Sequence, residues 1–170
     1  VSLGWSYLKL EKFKLAQPYF DQAYSYASEQ GILSDDVLLG RASLYSGIGE
    51  YPEALKSYAE LIEKFPASKK LSDAYLGQAN IYYLREDYGN AIDSYKGIIN
   101  QFAAQKDNVD IQEKAYFGLA WSHLKRGNID ESIKNFELIK NTTANKTVKI
   151  SALTQIGDAY QDVGQLDKAV

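Results

Sequence analysis

His123 is the one histidine of the chain, and the chain has no cysteine. It is therefore the side chain whose ordinary titration lies nearest neutral pH, and the first to weigh as a general base or a metal ligand. Nothing around it supports either use. There is no Gly-rich phosphate loop, no nucleophile elbow and no metal-spaced set of His, Cys and Asp. Carboxylates pair at Asp35-Asp36 and, one helical turn apart, at Asp158 and Asp162. The first pair follows Ser34 and suits the capping of a helix start better than acid–base work. The second could accept a basic side chain of a partner, or simply be a solvated acidic face. With no third carboxylate suitably placed, it makes no metal site. What remains is aromatic chemistry: 14 Tyr, 6 Phe and 2 Trp, the residue types that anchor protein contacts. The expected chemistry is recognition, without catalysis, cofactor or metal.

The elements that position those rings are read best from Tyr116 to Ile139, which predicts a helix, a tight turn at Gly127-Asn128 and a second helix. Small Ala120 is followed by a ring at His123, a turn residue at Gly127, apolar Ile129, small Ser132, aromatic Phe136 and aliphatic Ile139. Small residues let two helices approach, and the larger ones fill the space between them. The same order recurs five times. The first small slot is Gly4, Ala42, Ala79, Ala120 and Gly157, at steps of 38, 37, 41 and 37 residues. The ring slot is Tyr7, Tyr45, Tyr82, His123 and Tyr160; the turn slot is Glu11, Gly49, Glu86, Gly127 and Gly164. Then come Phe13, Tyr51, Tyr88, Ile129 and Leu166, and the second small slot at Ala16, Ala54, Ala91, Ser132 and Ala169. The aromatic slot is Phe20, Tyr58, Tyr95 and Phe136, and the last apolar slot Ala23, Leu61, Ile98 and Ile139. His123 thus fills a slot that Tyr takes elsewhere, and reads as a packed side chain. One hairpin cannot bury its own apolar face, so the units must stack.

This pattern resembles the tetratricopeptide repeat (TPR) family. Leu3-Gly4 with Tyr7, Ala54 with Tyr58 and Pro66, and Ala91 with Tyr95 match its Leu-Gly, Tyr, Ala, aromatic and Pro positions directly. Only Pro66 keeps the closing proline; Ser28, Ala103 and Ala144 stand in the other copies. The steps are also longer than the usual 34 residues. The resemblance implies an all-α, right-handed α-solenoid of helical hairpins. It would be a single array over 1–170, with repeats near 1–34, 35–71, 72–108, 109–146 and 147–170, the first and last incomplete. The stretch FPASKKLSDAYLG, with GLAWSHLK and IGDAY, further resembles bacterial envelope TPR proteins. These include the lipoprotein of the outer-membrane barrel-assembly machinery and the periplasmic coordinator of the Tol–Pal system. That implies a scaffold in an envelope or periplasmic complex.

Composition fits. The chain has 170 residues, 45% of them hydrophobic, enough for a sizeable core. A repeated ring slot accounts for the aromatic content. The net charge of −3, without a block of like charge, gives no footprint for nucleic acid. No apolar run is long enough to enter and span a membrane. Both ends cut through a repeat, which reads as a piece of a longer protein. Apolar positions follow a helical period throughout. Gln30-Gly31 predicts a helix end, Ser34-Asp35-Asp36 a cap, and Pro52 a tolerated first-turn proline. Pro18, a turn into the second helix, should distort or bend it. AQKDN (104–108) and NTTANK (141–146) are predicted loops, the latter with two glycosylation triplets of a kind common by chance.

In TPR arrays the first helices line a concave face. Carrying that register across places Trp5, Ser43, Asn80, Trp121 and Asp158 on one line. Val1, Leu39, Leu76, Phe117 and Thr154 lie a turn before it; Leu8-Lys9, Ser46-Gly47, Tyr83-Leu84, Leu124-Lys125 and Gln161-Asp162 a turn after. The resemblance implies a partner site of Trp5, Leu8, Lys9, Leu76, Asn80, Tyr83, Phe117, Trp121, Leu124 and Lys125. Trp121, Phe117, Leu124, Tyr83 and Leu76 would form an exposed apolar floor, with room beside it at Ser43, Ser46 and Gly47 and rim charge from Lys9 and Lys125. The competing reading packs the tryptophans between neighbouring first helices. Some TPR co-chaperones clamp a C-terminal carboxylate with Lys, Asn and Arg on these helices. Here Val1 and Leu76, or Leu39 and Phe117, hold the lysine positions, and Asn80 alone remains, so that clamp is not expected. The reading is a non-catalytic scaffold for a peptide or helical segment of another protein. Its alternatives are a self-assembling homo-oligomeric scaffold and the docking part of a larger enzyme.

Overall fold

A computed structural model of the chain describes residues 1–102, 109–162, 164, 165, 167 and 169. Among these, the regular elements of more than one turn are all helices. They are α1 (Ser2–Lys9), α2 (Phe13–Glu29), α3 (Asp35–Gly47), α4 (Tyr51–Lys64), α5 (Leu71–Leu84), α6 (Tyr88–Phe102), α7 (Val109–Lys125), α8 (Ile129–Thr142) and α9 (Lys146–Asp162). The chain divides into two compact units, Val1–Ile81 and Tyr82–Val170. Ala103, the 104–108 stretch and Leu166, expected in a closing slot, a loop and an apolar slot, lie outside the described residues.

In the first unit α1 pairs with α2 and α3 with α4, and α2 packs on α3. The small slots Ala16, Ala42 and Ala54 are sealed from solvent, as are Phe20 and Leu61. Phe20 lies between two glycines: a β-carbon on Gly4 would come within 3.0 Å of its ring, and one on Gly40 within 2.0 Å. Tyr58 repeats the arrangement one hairpin later, 2.2 Å from the β-carbon that Gly77 lacks. The ring of each second helix therefore rests on bare backbone of the next first helix. Only glycine permits that approach.

In the second unit α6 packs on α7, α7 pairs with α8, and α8 packs on α9. Tyr95 of α6 lies 2.2 Å from the missing β-carbon of Gly118 on α7. Phe136 of α8 is fully buried with Ala120, Ile139, Ala152 and Ala159. Ser132 is equally buried, and its hydroxyl has no hydrogen-bond partner.

The turn inside every hairpin has one geometry. Glu11, Gly49, Glu86, Gly127 and Gly164 all take positive φ, at 53°, 83°, 60°, 77° and 73°. The residue after each donates its N–H to the carbonyl of the ring slot: Lys12 to Tyr7, Glu50 to Tyr45, Asp87 to Tyr82, Asn128 to His123 and Gln165 to Tyr160, all at 2.9 Å. This is the Schellman closure of a helix by a left-handed residue. A residue with a β-carbon carries roughly 1–2 kcal/mol in that conformation, a cost borne at Glu11 and Glu86.

The connections between hairpins follow the local signals. Gly31 turns left-handed, at φ 67°, after α2. Ser34 caps α3 by accepting the Val37 N–H at 3.4 Å. Asn145, within one of the two triplets, spends its side-chain oxygen accepting the N–H groups of Thr147 and Val148 at the start of α9. α2 runs unbroken through Pro18, whose ring lies on an exposed face.

Gly118→Ala is expected to destabilise the protein by about 1–3 kcal/mol through overpacking against Tyr95, read as a lower urea midpoint by circular dichroism. An unchanged midpoint would show that the ring does not need the glycine. In the opposite direction, Glu86→Gly is expected to stabilise by about 1 kcal/mol by relieving the left-handed residue. A lower midpoint for that variant would refute the strain.

Candidate functional site

The first unit holds Trp5, Leu8, Lys9, Leu76 and Asn80. Trp5 is half-buried, its ring edge-on to Phe20 with centroids 5.5 Å apart and planes at 88°. Leu8 packs into the same cluster with Ala16 and Leu44, and Lys9 is exposed. Asn80 is exposed on α5. Leu76 corrects the expected exposed floor, because it is buried at 7% exposure. Burying an aliphatic side chain is favourable by roughly 1.5–3 kcal/mol, so it stays with the core. Gly47 stays exposed, but the side that a β-carbon would take is filled. The Phe13 ring covers that backbone, 2.5 Å from where a β-carbon would be. Ser43 is half-buried beside the Tyr58 hydroxyl.

The second unit holds Tyr83, Phe117, Trp121, Leu124 and Lys125. Phe117 and Trp121 lie one turn apart on α7 and both set ring edges on Phe136, at centroid distances of 5.8 and 5.9 Å. Both stay half-exposed, as does Leu124 beside them, and Lys125 is exposed. The floor is therefore neither free nor lost. Each ring is anchored at one edge by the second helix of its own hairpin, and both belong to a cluster that includes Ala152 and Ile156 of α9, the next first helix. Tyr83 is half-buried, edge-on to Tyr88 at 5.5 Å, and burial pushes its phenol up. Asp158 and Asp162 are exposed on α9.

Two arrangements do not emerge from sequence reasoning. The first is Arg41 on α3. Its guanidinium lies 4.6 Å from the ring centres of both Tyr24 and Tyr45. It pairs with Asp21 at 3.5 Å and Glu53 at 3.4 Å, and donates to Ser57 Oγ at 2.8 Å. Tyr45 in turn donates to Asp21 and Tyr24 to Glu60, both at 2.9 Å. A largely buried charge held this way ties α2, α3 and α4 together; removing one partner of such a group is costly. The second is a pairing of slots: Trp5 goes with Phe20 and Trp121 with Phe136, whereas Ser43 goes with Tyr58 and Asn80 with Tyr95. Phenylalanine in the aromatic slot is matched by tryptophan, and tyrosine by a polar residue. That covariation inside one chain was the legible signal.

Helix pairs repeated on one set of slots define a helical-repeat protein of the α-solenoid class, a class that binds proteins and peptides. The sequence profile described as tetratricopeptide repeat matches residues 1–68 and 39–109, and the chain belongs to that family. Among solved structures, the chain is similar to kinesin light chain TPR-like repeats of Podosopora anserina, with a TM-score of 0.80 at 15% identity, covering 99% of this chain and 86% of that one. It is also similar to MamA, with a TM-score of 0.72 at 21% identity over 99% and 89%. A mutant form of MamA gives a TM-score of 0.68 at 16% identity over 99% and 84%. These likenesses show the fold. No curated protein matches the chain.

His123 sits buried in its ring slot, with Asn128 Nδ2 3.5 Å from its Nδ1. Burial pushes the imidazole below its ordinary range; Lys96 and Arg126 add to that and Glu131 opposes it. The unfolded chain therefore takes up this proton first as pH falls. The contribution is fully present above roughly pH 6.5, the ordinary histidine value, and is lost as pH drops through the lower folded value. His123→Tyr, which restores the residue of the other four copies, is expected to flatten the fall in urea midpoint between neutral and mildly acidic pH. An identical pH profile for both proteins would remove His123 as the cause.

Proposed function

We propose that this chain is a non-catalytic scaffold whose first helices hold a peptide or short helix of another protein. The observation that carries the reading is the α7 surface. Phe117 and Trp121 stand one turn apart with their edges fixed on Phe136 and their remaining surface open, Leu124 fills in beside them, and Lys125 stands at the rim. Rings held rigid before binding lose little freedom on contact, and Trp is a preferred anchor. Trp5, Leu8 and Lys9 repeat that composition on α1. Asn80 and Tyr83 would add to the same line of register, with buried Leu76 backing it. We read the two units as parts of one TPR array over 1–170, because the slots keep their order through both. The FPASKKLSDAYLG stretch supports placing the partner in a bacterial envelope complex. Among the described residues no helix is long and apolar enough to cross a membrane.

The test is capture from the native organism's lysate by the wild type, Trp121→Ala and Lys125→Glu, with circular dichroism confirming that all three fold. A partner held by the wild type should be weakened about thirtyfold by Trp121→Ala, the loss of an anchor worth roughly 2 kcal/mol. Lys125→Glu removes no packing, so its loss of capture reports the surface alone. A partner bound equally by all three would place binding elsewhere.

A further inference from the structure

The turn edge of the first unit departs from its own repeat. The residue before the left-handed turn is Leu10 and Ile48 in the first two hairpins, but Arg85 and Arg126 in the next two. The residue before the second small slot is Leu15 in the first hairpin, against Glu53, Asn90 and Glu131. Packing does not explain the change, since Leu10, Leu15 and Ile48 are 63%, 51% and 39% exposed. Leu15 and Ile48 instead line an open depression of about 450 Å³ with Phe13, rimmed by Glu11, Lys12 and Lys14. Phe13 is held in place as its floor by contact with the bare backbone of Gly47.

The rim is net positive, with Lys12 and Lys14 against the one carboxylate of Glu11. Lys9, Lys12 and Lys14 are exposed, and none makes an ion pair among the described residues. The first turn of α2 carries no acid, whereas α4 starts with Glu53 and α8 with Asp130 and Glu131. The positive end of the α2 dipole thus adds to the lysines, where α4 and α8 set carboxylates against theirs.

We propose that this edge docks an acidic segment of a partner protein. One large apolar side chain of that segment seats between Leu15 and Ile48 on the Phe13 ring, and its flanking carboxylates pair with Lys12 and Lys14. A depression receives a side chain, whereas an anionic bilayer would need apolar groups that protrude. The three lysines also fall short of the roughly four to eight that mark lipid-binding clusters. The surface is distinct from the α7 rings and does not rest on the reading of them.

The test is selection of random peptides displayed on phage against the full chain, followed by fluorescence anisotropy on the enriched peptides. Enriched peptides should carry Asp or Glu flanking a large apolar residue. Their affinity should fall roughly tenfold or more with Lys12→Glu/Lys14→Glu, fall again as salt is raised, and be unmoved by Trp121→Ala. The charge reversal places acids at a helix start and so stabilises α2; lost binding cannot then be lost folding. Leu15→Ser should weaken binding independently of salt. No enrichment, peptides that ignore the lysine reversal, or peptides lost only with Trp121→Ala would each overturn the proposal. So would lysine-dependent binding to phosphatidylserine vesicles without acidic-peptide binding.

Discussion

A ring laid on a glycine sets how closely one hairpin can follow another. Phe20 on Gly40, Tyr58 on Gly77 and Tyr95 on Gly118 each occupy the volume of a missing β-carbon, at 2.0, 2.2 and 2.2 Å. A methyl group at any of these points would push two helices apart, and a packed interior does not absorb that displacement cheaply. The small slots serve the same close approach of helices, with Ala42, Ala79 and Ala120 two residues beyond those glycines and fully buried. The fifth copy shows the dependence from the other side. Gln155 stands where glycine stands in the three before it, and the ring facing that hairpin, Phe136, carries Phe117 and Trp121 against it.

That same packing explains why half-open tryptophans belong to the fold before they belong to any partner. Phenylalanine has no hydroxyl, so a Trp edge can close over it without stranding a polar atom. A tyrosine at that slot needs a partner for its hydroxyl when buried. Tyr58, whose hydroxyl meets Ser43, shows the polar solution; Trp5 over Phe20 shows the apolar one. Structural support and the recognition proposed for Trp121 are therefore compatible. The edge that rests on Phe136 is what holds the opposite surface still.

Much of this is legible in the residue order, for a physical reason. Slots that repeat in register impose the same steric demand several times, so Ala54, Tyr95 and the turn residues can be read from their spacing. Even Glu11 and Glu86 fall in the left-handed slot by register alone, against their own preference. What is not legible does not repeat, or repeats without a bulky signature. Gly40, Gly77 and Gly118 recur, but an absent side chain draws no attention until the ring that fills its place is seen. Leu76 is an aliphatic residue on a line inferred from family geometry, and only packing shows it buried. Arg41 draws on residues from three helices, which no local window contains. Pro18 does not end α2, because one missing N–H is tolerated in a 17-residue helix held along its length by packing.

The informative positions in a repeat protein are accordingly of two kinds. Slots shared by all copies report the stack: the small and aromatic slots of the first four copies are buried, and residues are interchangeable within a size class, as His123 shows by standing in for tyrosine. Exposed positions where copies disagree are free of that demand, so a costly residue there needs another cause. Leucine and isoleucine at the turn edge of the first unit, where later copies put arginine, are such residues, and so are the rings of α7, which the stack supports but does not cover. An exposed apolar group gains nothing from the fold. Single exposed apolar residues are ordinary on a protein surface; apolar residues grouped at one depression, as Leu15 and Ile48 are, make register disagreement a place to look for a second surface.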